Sequence, residues 1–245
     1  LVTPIFLKIF IRQKYLNFAL MIWLIYLSYS VLITGERMAS ILIIFGTCLI
    51  LGYKVFQKKR NILYLIPFSL CIISIIFINP TASKRFQDTI SDEYGIGKKL
   101  NIKDSNWGAH FLTAYEIFKN YPVLGVGPKN FRIESCKTEY NTIDSLKVNQ
   151  RCTTHPHNIL LEILSEHGIV GLICFSFLIF LILKKINYLY EYNIYFVISL
   201  IIYIWPIGTS GSIFTSWNGT FLWINIGILS YLGKKKFKIK SLQLS

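Results

Sequence analysis

Two of the chain's four histidines, His155 and His157, stand two apart in the run Thr153-Thr154-His155-Pro156-His157-Asn158, just before an apolar stretch. Imidazole is the side chain that changes charge near neutral pH, so a histidine here can take a proton from an attacking hydroxyl. Pro156 suits the first turn of a helix and Thr154 stands ready to cap it, which predicts a helix opening at His157. A helix start presents unpaired N–H groups and partial positive charge, which suits an anion and disfavours the imidazolium form. On that helix Asn158, Glu162 and Glu166 share one face. The two carboxylates read equally well as structural or solvent-facing groups or as catalytic ones. The competing reading of the histidine pair is a surface or capping feature of a loop. His155, His157 and His167 lack the i, i+4 pair of the common helical zinc motif, so no metal site is expected.

Two further segments carry groups that bind anions. Arg37 lies in Thr34-Gly35-Glu36-Arg37-Met38-Ala39-Ser40, between two apolar runs. An arginine at the bilayer centre costs about 2.5–3.5 kcal/mol on insertion scales, so one at the edge takes water, a partner or a ligand. Snorkelling or an ion pair with Glu36 is the plainer alternative. Tyr121-Pro122-Val123-Leu124-Gly125-Val126-Gly127-Pro128-Lys129-Asn130-Phe131-Arg132 demands a tight irregular turn. It lacks the lysine and hydroxyl residue of a P-loop, and no strand precedes it.

The elements that must position these groups are membrane helices. The chain of 245 residues is 53% hydrophobic and only 16% charged, with mean hydropathy +0.49, which excludes an ordinary soluble domain. Apolar runs approach the roughly 20 residues that span a bilayer at Leu16–Ile33, Met38–Val55, Ile62–Ile78, Ile169–Leu183, Ile194–Gly208 and Thr215–Leu232. The fourth and fifth are the shortest. Lipid offers no partner to backbone polar groups, so the expected fold is all-α, a polytopic protein with about six transmembrane helices and one long periplasmic loop.

A net charge of +14 in a soluble protein would suggest nucleic acid. Here the cations flank the spans, at Lys8, Arg12 and Lys14, at Lys54, Lys58, Lys59 and Arg60, at Lys184 and Lys185, and from Lys234 to Lys240. With six spans all four clusters fall on one side, which the positive-inside rule makes the cytoplasm. Of the twelve acidic residues only Glu191 shares that side. The predicted partner is therefore the lipid bilayer and not nucleic acid. Residues 1–78 form three spans, 79–156 a periplasmic loop, and 157–245 the motif helix with three more spans. Leu1 at the start, without a signal-peptide pattern, reads as a piece of a longer protein.

Within the loop, Trp107, Phe111, Ala114, Tyr115 and Phe118 recur at helical spacing, which predicts an amphipathic helix over 106–120 with its aromatic stripe packed against the membrane unit, the alternative being a ligand box. Cys136 and Cys152 share the loop, while Cys48, Cys71 and Cys174 lie in spans. An oxidising compartment permits a Cys136–Cys152 disulfide. Two separate thiols are the alternative. Pro206, Gly208 and Gly211 mark a helix break near the periplasmic face.

The arginine turn at 34–40, the Pro, Gly-x-Gly and Asn-Phe element at 122–131, and His157-Asn158 followed nine residues later by Gly168-x-x-Gly171 resemble, in that order, the O-antigen ligase and polymerase family of bacterial envelope glycosyltransferases. The resemblance runs from about Thr34 to Leu183 and matches the C-terminal half of such proteins. It implies an inner-membrane, inverting glycosyltransferase that needs no cofactor or metal. Its donor would be an undecaprenyl-diphosphate-linked glycan and its acceptor lipid A-core, or another lipid-linked glycan in a polymerase. Arg37 would bind the diphosphate and His157 would activate the acceptor hydroxyl. The second family arginine, a few residues before the loop tryptophan, is absent. Lys103 stands there, and either Lys103 or Arg132 would take its place. A transporter or assembly subunit is the alternative from another class. It would call for internal repeats or charged residues within the spans.

Overall fold

The structure is a computed structural model that describes residues 13–34, 36–64, 66, 68–70, 84, 103, 105, 107–186, 191–206 and 210–242. The described residues are helical, with no strand among them. The helices are α1 (Gln13–Thr34), α2 (Arg37–Gln57), α3 (Gly108–Asn120), α4 (Phe131–Glu134), α5 (Ile159–Lys185), α6 (Glu191–Tyr203) and α7 (Ser216–Leu242), with 3-10 turns at Lys59–Tyr64, Thr138–Thr142 and Val148–Gln150. They divide into two compact units, one made of 1–89 with 188–202 and the other of 90–187 with 203–245.

Three described helices are long and apolar enough to cross a membrane, over Tyr15–Thr34, Met38–Gln57 and Ile159–Lys185. The first two match the expected runs Leu16–Ile33 and Met38–Val55. The third is longer than the expected Ile169–Leu183, because the motif helix and the span are one kinked element. The run Ile194–Gly208 becomes the shorter apolar helix Asn193–Tyr203, and Thr215–Leu232 falls in α7. The expected run Ile62–Ile78 lies outside the described residues from 71 onward.

In the first unit, α1 and α2 form a hairpin whose core joins Leu20, Leu24 and Ile50 to Tyr195 and Ile198 of α6. A second cluster holds Met21, Leu51 and Phe68. Gly46 of α2 leaves room for the Ile202 side chain, which a Cβ at that position would strike. At one end of the hairpin the Lys54 ammonium donates to Asn17 Oδ1 (2.9 Å), and Asn61 Nδ2 donates to the Lys54 carbonyl (2.7 Å). The Lys54 carbonyl also accepts from Lys58 N (3.0 Å), the C-cap bond of α2.

In the second unit, α3 packs on the first half of α5, and α7 packs on α5 as well. Ala114 and Ile117 of α3, Phe131 of α4 and Tyr140 make its core, with Leu161 of α5 against them. The face of α3 that is buried carries Ala109, His110, Thr113, Ala114 and Ile117. This corrects the predicted stripe: Tyr115 is exposed, and Trp107, Phe111 and Phe118 are only half-buried. Aromatic spacing marked the helix but not its inner face, because small residues let α3 approach α5 closely. Cys136 and Cys152 are joined in a disulfide with their Cα atoms 4.4 Å apart. Beside it, Arg151 Nη2 donates to the Lys137 carbonyl (3.1 Å). Beyond Gly171, α5 leaves Ile173, Phe177 and Phe180 exposed, the surface expected of a helix that faces lipid.

Candidate active site

His157 lies one residue outside the helix it was expected to open. Asn158 is the N-cap of α5, in extended conformation, and its Oδ1 accepts from Leu161 N (3.1 Å). The expected capping by Thr154 and first-turn role of Pro156 are therefore corrected. His157 itself adopts the left-handed region (φ 56°), which a non-glycine residue holds only when its surroundings impose it. Two hydrogen bonds with the segment between α6 and α7 hold it there, one at His157 and one at the next residue. Ser210 N donates to the His157 carbonyl (2.7 Å), and Asn158 Nδ2 donates to the Pro206 carbonyl (2.8 Å). Around the predicted break at Pro206, Gly208 and Gly211, residues 205–206 and 210–212 are non-helical, and residues 207–209 lie outside the described set.

The two carboxylates of α5 turn out to be structural. Glu162 is buried, and its Oε2 accepts from Ile213 N (3.1 Å), a third tie to the same segment. Glu166 is also buried and accepts from Lys129 N (2.7 Å) and Phe131 N (3.3 Å), fastening the Gly-x-Gly turn to α5. That turn meets the helix at its kink. Gly168 has φ 63°, and the backbone donors freed there find carbonyls in the turn: Ile169 N donates to Pro122 (2.9 Å) and Val170 N to Val123 (3.3 Å). In return, Val126 N donates to the Ser165 carbonyl (3.0 Å) and Gly127 N to that of Glu166 (2.9 Å). A Cβ on Gly168 would overlap the Val123 carbonyl, and one on Gly125 would overlap the Glu166 backbone. The Gly-x-Gly and Gly-x-x-Gly motifs are thus two halves of one joint.

The joint and the tied segment bring three histidines and a tryptophan together. The His157 ring centroid lies 4.0 Å from that of His155, 5.3 Å from that of His110 and 4.7 Å from that of Trp107, which meets it edge-on. Burial, with His155 and His110 beside it, lowers the His157 pKa from 6.5 to about 4. The same burial lowers His110 and His155. All three are therefore neutral at pH 7. His110 Nε2 donates to the Gln150 carbonyl (2.8 Å), and Thr154 Oγ1 lies 3.0 Å from His155 Nδ1. Among the described residues no group of three or more metal-binding side chains is arranged to hold an ion.

His110 and Trp107 escaped sequence reasoning, which read Trp107 as packing and passed over His110. The available signal was the i, i+3 spacing of the two on α3. The other anticipated residues are scattered. Lys103 is ion-paired with Asp144 (2.8 Å), and that bond depresses the Asp144 pKa. Arg132 is exposed on α4, where its charge acts on Glu166. Arg37 belongs to the first unit, where it is the first residue of α2. Behind the joint, Lys129, Ile213, Phe214, Thr215, Thr220 and Trp223 line an open groove of about 720 Å³.

No curated protein and no solved structure matches the chain significantly. A sequence profile described as O-antigen ligase matches residues 19–176, from within α1 through the histidine cluster to Gly171 and beyond. That match covers well over half of the 245 residues, and with three helices fit to cross a bilayer it identifies the chain as a membrane protein of the O-antigen ligase family.

Proposed function

We propose that the chain is an inverting, metal-independent glycosyltransferase that joins a glycan carried on undecaprenyl diphosphate to a hydroxyl acceptor such as lipid A-core. In this reading six spans set residues 79–156 on the periplasmic face of the inner membrane. The observation that carries it is the half-buried imidazole of His157, its pKa lowered to about 4, inside the stretch that matches the family, with the His157 carbonyl and the neighbouring Asn158 side chain both tied to the segment between α6 and α7. A general base must arrive unprotonated, and His157 does so at every pH near neutrality.

The acceptor hydroxyl gives its proton to His157 as its oxygen bonds to the anomeric carbon. The bond from that carbon to the diphosphate oxygen breaks, and undecaprenyl diphosphate leaves with the electron pair. A base whose pKa is about 4 in the empty site would be weak. The negative donor diphosphate, once bound, raises it toward the working range by favouring the imidazolium. Arg37 would supply the bidentate guanidinium that holds that diphosphate, with Arg132 or Lys103 as the second cation. Stabilising the leaving charge is commonly the largest catalytic contribution.

The test is transfer from lipid-linked glycan to lipid A-core, measured on the membrane-inserted chain with and without EDTA. Product on lipid A-core, unaffected by chelation, supports the reading. Product only on a second lipid-linked glycan would make the chain a polymerase, and no product on either acceptor would reject transfer by this chain.

A further inference from the structure

The base assigned above lacks the partner that usually orients one. In a base of this kind a third group accepts the ring's second N–H and steadies the imidazolium that forms. No carboxylate acts on His157; the titratable groups that do are His155 and His110, which oppose the imidazolium only when they carry charge themselves, and a neutral His110 does not. Among the described residues, no hydrogen bond reaches the His157 ring.

His110 has the chemistry required. Its residue is 8% exposed, and its Nε2 contacts the carbonyl oxygen of Gln150 at 2.8 Å. A carbonyl only accepts, so Nε2 carries the hydrogen, and in the neutral ring Nδ1 is left as a lone pair. That Nδ1 is buried without a partner. A buried acceptor without a donor is costly, and such groups in native structures call for an explanation. The His110 and His157 ring planes are 27° from parallel with centroids 5.3 Å apart. Two imidazoles joined through an N···N distance of about 2.9 Å have centroids on the order of 5 Å apart, the separation seen here, so turning the His157 ring from its stacked orientation toward His110 Nδ1 would join them. His155 Nε2 also lacks a well-aligned hydrogen bond, but the Ser210 backbone acts on the His155 ring in the sense that favours its protonated form and Thr154 Oγ1 lies at its Nδ1, so that ring is not left with a waiting acceptor as His110 is.

We propose that His110 is a positioning residue for His157: its Nδ1 receives an N–H of the His157 imidazolium as that cation forms, while its own Nε2–H stays on the Gln150 carbonyl. The acceptor's proton goes to one His157 nitrogen, the other His157 nitrogen keeps its hydrogen and donates it to His110, and no proton leaves His110. The empty acceptor of the resting site is then the place made ready for the charged state. This rests on His157 being the base.

Two substitutions separate this role from packing. In His110→Gln the amide nitrogen keeps the bond to Gln150 and the Nδ1 acceptor is lost. In His110→Asn the amide oxygen replaces the Nδ1 acceptor and the Gln150 bond is lost. The full chain, labelled with ¹⁵N-histidine in lipid nanodiscs, is titrated by NMR, and the pH profile of kcat is taken alongside. We expect His110→Gln to lower the His157 pKa by roughly one to two units, the worth of a hydrogen bond to a charged group. Its kcat plateau should fall about tenfold or more with its acidic limb moved to lower pH, and His110→Asn should restore both. An unchanged His157 pKa in folded His110→Gln overturns the pairing. The opposite pattern, loss in His110→Asn alone, overturns it too by making the Gln150 bond the essential one. If the pKa moves as expected but His157→Ala transfers at the wild-type rate, the pairing stands and the base assignment falls.

Discussion

Gly168 stands beneath the Val123 carbonyl so closely that no side chain fits between them, and its φ of 63° is one that L residues resist. We expect Gly168→Ala to destabilise the second unit by about 2 kcal/mol or more, since the left-handed backbone alone costs about 1–2 kcal/mol before any overlap is relieved. Gly227→Ala is the useful contrast. Its Cβ would meet nothing within 4 Å on α7, whereas Gly168 meets backbone. Thermal unfolding in detergent compares them, and a Gly168→Ala midpoint equal to wild type would contradict the joint described here.

His157→Ala should cut transfer by about 10²–10⁴-fold per inserted molecule, the usual worth of a general base. His155→Ala should cost less. Arg37→Lys should impair use of the donor, because an ammonium keeps the charge and loses the fork. Quantifying membrane-inserted protein beside product separates lost chemistry from lost folding, and full activity in His157→Ala would remove it from the mechanism.

Acid should loosen the histidine cluster. His157 has a folded pKa near 4 against 6.5 when exposed, and His110 and His155 shift the same way. Between those values the unfolded chain binds more protons than the folded one, so stability is full above about pH 6.5 and declines as pH falls toward 4. Melting temperatures from pH 7.5 down to 4.5 should fall less steeply in His157→Asn than in wild type. Parallel curves would mean that the site stays open to water.

Cys136 and Cys152 close a loop of sequence separation 16, and removing the bond should cost roughly 3 kcal/mol in the chain-entropy model. A non-reduced digest of correctly localised protein should yield the two linked peptides. Recovery of both as free thiols would show that the loop does not meet an oxidising compartment.

The six-span topology predicts that probes at residue 59 react only from the cytoplasmic side and probes at residue 103 only from the periplasmic side. Labelling of both from one side would require a different number of crossings.

Much of this protein is legible without coordinates. Apolar runs of bilayer length report their own solvent, since a helix in lipid must be apolar whatever it packs against, and α1 and α2 fall where hydropathy puts them. The order of the arginine turn, Gly-x-Gly, His-Asn and Gly-x-x-Gly likewise names the family from one chain. Tertiary structure decided what those motifs are for. Local spacing reads neighbours along one helix, so it could not tell that Gly125 lies against the backbone of Glu166 and His167 and Gly168 against that of Val123 and Leu124. Nor could it tell that Glu162 and Glu166 fasten distant loops. His110 became part of the site, and Lys103 was drawn to Asp144, through contacts 40 or more residues apart in the chain. Periodicity carries no record of such contacts, because they form only when α3, the turn and the segment around Ser210 close on the start of α5.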